Sequence, residues 1–110
     1  MTNEATPSNR ATLDDLMRLV LTSTEVRIEG IDKPFAIRPL TWKEDLEIDQ
    51  IVTGITNLTD RARERTKLIV WTALMDPKIT KDDVSRLPVG LVIRLADEIM
   101  KISSFLQRKT

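Results

Sequence analysis

The spacing of apolar residues changes period several times along the 110-residue chain, and each change predicts an element. Leu13, Leu16, Met17, Val20 and Leu21 recur at the helical period, and Thr12 followed by Asp14 and Asp15 supplies a cap and an acidic first turn. A short helix is therefore expected from residue 13. From Glu25 the period falls to two: Val26 and Ile28 alternate with Arg27 and Glu29, then Phe35 and Ile37 with Ala36 and Arg38. These runs flank residues 30–34 and predict a β-hairpin. Pro39 has no N–H to give a ladder, so it closes the second strand and implies a small, edge-like sheet.

Helical spacing then returns. Thr41 and Glu44 match a capping box, in which hydroxyl and carboxylate each satisfy a free backbone donor, so a helix is expected from Trp42 with Ile48, Ile51, Val52 and Ile55 on one face. Gly54 weakens its end, and residues 54–58 read as a turn or loop. Residues 59–75 are charged in their first half and apolar on all sides, apart from Thr72, in their second, the mark of a central helix covered from several directions. Asp76 and Pro77 are expected to end it. Thr80 and Asp83 cap a short helical turn through residue 86, and Leu87-Pro88 resets the chain. Leu91, Val92, Leu95, Ala96, Ile99, Ile102, Phe105 and Leu106 trace the longest apolar stripe, with Arg94, Asp97, Glu98 and Lys101 opposite.

Residues 1–11 have almost nothing to bury and read as a disordered tail. Residues 12–110 then form one domain of the α+β class, mainly α-helical, with an N-terminal β-hairpin followed by about four helices. At this length roughly 65% of the unfolded surface can be buried, enough for one modest core. No apolar run approaches the roughly 20 residues of a membrane span, and no targeting segment is visible, so a cytoplasmic protein that does not engage membranes is expected.

Composition removes most chemistry. The chain has no histidine and no cysteine, which excludes histidine-based acid–base schemes, thiol nucleophiles and Cys/His zinc sites. Its three glycines are far apart, so no phosphate-cradling loop is present. Glu44, Asp45, Glu47 and Asp49 offer carboxylates, with Asp45 and Asp49 one turn apart, but their position near a helix N-terminus reads as a solvated, dipole-favoured face rather than a cation seat. Asp14, Asp15, Asp82 and Asp83 read the same way. No catalytic residue, cofactor or metal is expected, and the protein is not read as an enzyme.

Charge is more informative in its distribution. Seventeen basic and 17 acidic residues cancel overall. Residues 1–60 nevertheless hold six basic and eleven acidic side chains, a net −5, and residues 61–110 carry +5. Either the halves fold together and interleave their charges, or copies self-associate with the acidic half of one against the basic half of the next. Arg61, Arg63, Arg65 and Lys67 form the one basic cluster; helical geometry disperses it, acids interleave it, and no aromatic lies near enough to stack a base, so no nucleic-acid partner is expected. Trp42, Trp71 and the closing stripe read first as core. A body this short with several strongly apolar helices also leaves a face for a partner.

Two stretches carry a resemblance. The strand and capped helix of Phe35-Ala36-Ile37-Arg38-Pro39-Leu40-Thr41-Trp42-Lys43-Glu44 resemble the front of the tail assembly chaperones of long-tailed bacteriophages. The Asp76-Pro77 turn, the Leu87-Pro88 break and the apolar helix reaching Ile102-Ser103-Ser104-Phe105 are similar to the same family's closing half. The likeness spans about residues 24–106, departing at Ser103-Ser104, where Ser-Gly is expected, and in the short stretch between the two central helices.

The resemblance implies a non-enzymatic morphogenesis factor of the infected or lysogenic bacterial cytoplasm, absent from the mature virion. Such a factor binds the tape measure protein and helps recruit tail tube protein around it. Its expected contact surface is Trp71, Leu95, Ile99, Ile102, Phe105 and Leu106. The other functions weighed are a structural virion subunit, such as a head-tail connector or tail completion protein, and a small nucleic-acid-binding regulator.

Overall fold

The computed structural model describes residues 10–104, the side chain of Leu21 excepted. Its elements run α1 (Leu13–Leu21), β1 (Thr24–Val26), β2 (Phe35–Ile37), α2 (Trp42–Thr53), α3 (Leu58–Ala73), β3 (Leu74–Asp76), α4 (Lys81–Ser85) and α5 (Val89–Ser104). The fold is α+β and mainly helical, as the periodicity predicts, with the helix expected from residue 13 ahead of the hairpin; a third strand, not expected, lies between the central helices and the last two. All but the last two residues of the tail expected over 1–11 fall outside the described residues, as do Phe105 and Leu106.

Local chemistry sets the helix starts. The Thr12, Thr41 and Thr80 hydroxyls each accept the N–H three residues on, and Asp15, Glu44 and Asp83 return the bond to the cap's own N–H. Asn57 caps α3 by accepting from the Asp60 N–H. Gly30, at φ 91°, turns the chain between β1 and β2 in a conformation that a side chain would strain.

The sheet departs from expectation in two ways. β2 is its central strand: β1 pairs antiparallel along one side, Thr24 opposite Ile37, and β3 pairs antiparallel along the other, Ile37 opposite Leu74, with a bulge between Ala36 and Ile37. Pro39 is therefore not the mark of an edge. It lies beyond the strand, after Arg38 has donated its N–H to the Ala73 carbonyl at 3.0 Å. The helix expected through residue 75 stops at Ala73, because Leu74 turns extended and hands its side chain to the core beside Ile37. Asp76, restricted by the following proline, continues as strand.

α3 is central, packing on α2, α4 and α5. Leu68, Val70 and Leu74 meet Ile37, Val84, Leu95 and Ile99 in a fully enclosed cluster, with Ile48 and Val52 closing it from α2. Each such side chain contributes about 1.5–3 kcal/mol relative to exposure. Ile51, expected on the same face as Ile48 and Val52, is exposed instead. α2 lies mainly against one neighbour, α3, so only a narrow strip of it is covered.

Candidate partner-binding surface

The contact surface expected from the sequence is divided by the fold. Leu95 and Ile99 have no solvent exposure and belong to the core, so they are not part of an open face. The stripe on α5 faces α3, and the same spacing that makes it continuous makes it the strip α3 covers. Ile102 and Trp71 pack against the edge of that core. The Trp71 ring is further covered by Lys81, whose Nζ stands 4.5 Å from the ring centroid. Trp42, read first as core, is 83% exposed at the start of α2.

What the structure opens to solvent is a groove of about 810 Å³ between the first half of α3, the end of α4 and the start of α5. Ile55, Val84 and Val92 line it, with Leu87, Val89 and Ile93 alongside. Val89 is mostly exposed and Ile93 half-exposed, which makes this an apolar surface rather than a closed cavity. Sequence reasoning missed both. The available signal was a second apolar line on α5, running through Val89, Ile93 and Met100 beside the core stripe at the same helical spacing.

On the α3 side the groove carries Asp60, Arg63, Glu64 and Lys67, two acids and two bases, of which Lys67 Nζ pairs with Glu64 Oε1 at 3.2 Å. Among the described residues Arg63 has no ion-pair or hydrogen-bond partner. The rest of the basic cluster is committed to the fold. Arg65 forks onto two carboxylates of α2, reaching Asp45 Oδ1 at 2.6 Å and Asp49 Oδ1 at 2.7 Å. Arg61 Nε donates to the Ile55 carbonyl at 2.9 Å and so covers the end of α2. Asp45 and Asp49 do project together, and the cation they seat is the guanidinium of α3. Among the described residues no three metal-capable side chains converge.

At the opposite end of the body, Arg38 and Glu44 fix the junction of sheet and helices. Arg38 donates to both Glu44 oxygens, at 2.9 and 2.8 Å, and also to the Pro39 and Thr72 carbonyls at 3.1 Å. The Arg38 hydrogen bond lowers the Glu44 pKa below its ordinary value, and the same bond raises that of Arg38. The Asp83 carboxyl is also lowered, first by the Thr80 N–H it accepts and then by Arg86. These perturbed groups serve caps and junctions, and none of them lines the groove.

A second apolar surface lies on α1. Leu13, Leu16, Met17 and Leu19 are 71%, 56%, 53% and 43% exposed, although their spacing is that of a helix built to lie against something. No helix of the described residues is long and apolar enough to cross a membrane. No family model, curated protein or solved structure matches the chain.

Proposed function

We propose that this protein is a non-enzymatic assembly factor of the phage tail assembly chaperone kind, which holds an apolar helix of the tape measure protein in the groove between α3, α4 and α5. The observation that carries the reading is the groove itself, an open apolar channel flanked by charge, the surface that helix-in-groove recognition uses. The motif likeness over residues 24–106 names the partner. In this reading the protein works in the cytoplasm of the infected or lysogenic host, helps recruit tail tube protein around the tape measure protein, and leaves before the virion is complete.

The test is co-expression with the long helical protein encoded just downstream in the source genome. The expected result is that this partner becomes soluble and co-purifies, and that Ile93→Asp, at an exposed groove position, removes co-purification while the fold is kept. A partner that stays insoluble, with this protein retained in purified particles, overturns the reading in favour of a structural virion subunit.

A further inference from the structure

We propose that the groove is filled by helix α1 of a second copy of this chain, and that two copies exchange these helices reciprocally. α1 has the form of a groove ligand. Leu13, Leu16, Met17 and Val20 stand at i, i+3, i+4 and i+7, the anchor spacing of an amphipathic helix laid into an apolar channel. Three of those four side chains are more than half exposed, so the helix's own body leaves the face uncovered.

The occupant is a second copy because of where α1 is tied. The two-residue link Thr22-Ser23 joins it to β1, on the outer side of the sheet, and the sheet meets α3 at that helix's C-terminal end through the Arg38 N–H to Ala73 carbonyl bond. The groove opens at the other half of α3, around Arg63 and Lys67. With its two-residue link at the outer strand and the groove at the far half of α3, α1 is seated by the proposal in a neighbour's groove rather than its own.

Charge agrees with this pairing. Asp14 flanks the apolar face of α1 and has no partner among the described residues, while Arg63 beside the groove is equally unpaired. Area also favours exchange over a single insertion. A helix of 9 residues is about 13 Å long, so one insertion covers little surface and two reciprocal insertions cover twice as much, toward the ~1,200 Å² where specific interfaces begin.

The proposal adds regulation to the groove of the chaperone reading, since a client helix must displace α1 to enter. Its test needs no client, so the two readings fail separately. The chain has no cysteine, which makes engineered disulfides unambiguous. Full-length Met17→Cys and Ile93→Cys chains are mixed and oxidised, and the linked peptides are identified by mass spectrometry.

The expected product is a disulfide between residue 17 of one chain and residue 93 of the other, reduced at least tenfold when Leu16→Asp is added to the first chain. Leu16 lies outside the core, so that substitution leaves the body folded. Absence of the cross-link, or a cross-link indifferent to Leu16→Asp, overturns the proposal. So does closure of the Met17→Cys/Ile93→Cys double variant into a disulfide-bonded monomer, which would place α1 in its own groove.

Discussion

Arg38 and Glu44, six residues apart in sequence, form a two-pronged contact that joins the end of β2 to the first turn of α2 and, through the Thr72 carbonyl, to the last turn of α3. Glu44 is thereby shared, since its Oε1 also accepts the Thr41 N–H of the capping box at 3.0 Å. Both side chains are less than a quarter exposed, which protects the pair from the screening that weakens surface ion pairs.

Removing either partner leaves the other charge and at least one carbonyl or N–H poorly satisfied. Arg38→Met and Glu44→Gln are each expected to destabilise the fold by about 2 kcal/mol, with the double variant costing less than their sum. Urea unfolding of the four chains measures the coupling, and strict additivity would show that the contact contributes nothing as a pair.

The same contact sets the acid limit of stability. The folded Glu44 carboxyl titrates below its ordinary value of 4.5, so its contribution is complete above that value and is lost as pH falls through the folded-state pKa. Asp83 acts in the same direction. With no histidine or cysteine side chain to titrate, the melting temperature is expected to be nearly level from pH 8 to about 5 and to drop below. Arg38→Met should flatten that drop, which thermal melts across a pH series read directly.

Interactions confined to one turn of chain were legible in the sequence. Thr41 and Glu44 or Thr80 and Asp83 need only their own spacing to form a cap, and the alternation around Val26 and Ile37 needs only a strand. β3 was not legible, because three residues following a helix become strand only when β2 offers a register, and Ile37 and Leu74 are 37 residues apart. The burial of Leu95 and Ile99, expected on the contact surface, was not legible for a related reason. Periodicity shows that Leu95 and Ile99 share a face with Ile102, but whether that face meets α3 or solvent is decided by packing. Val89 and Ile93 sit on the next line of α5, which the packing leaves open to solvent.

That difference between neighbouring lines of one helix is directly testable. Ile99→Asp places a charge in the fully enclosed core and is expected to cost more than about 4 kcal/mol, with cooperative loss of the helical circular dichroism signal. Ile93→Asp, half-exposed, is expected to change stability by less than about 1 kcal/mol. Equal losses from the two would mean that the groove is part of the packed interior.

Ser103, near the end of α5, has a defined structural role. Ser103 Oγ accepts the Leu40 N–H at 2.8 Å and donates to the Ile99 carbonyl at 2.6 Å, so one hydroxyl ties the end of α5 to the segment between β2 and α2. The Leu40 N–H is part-buried, and its loss of an acceptor is expected to make Ser103→Ala cost about 1–2 kcal/mol. Hydrogen exchange gives the sharper readout. The Leu40 amide should lose protection in Ser103→Ala, while the Val26 amide, held in the sheet away from α5, keeps its rate when measured against the lowered global stability.

The two tryptophans offer the last test, because their surroundings differ so sharply. Trp42 stands almost free at the head of α2, whereas Trp71 is packed against the core and roofed by Lys81. Trp42→Phe is expected to remove most of the iodide-quenchable fluorescence and to shift the remaining emission to shorter wavelength, with little change in stability. Lys81→Ala in that background should make Trp71 more accessible to quencher and cost about 0.5–1 kcal/mol, the range for a cation over a partly exposed ring. If Trp42→Phe instead lowered the unfolding midpoint strongly, the ring would be packed against something in solution, at a place outside the groove.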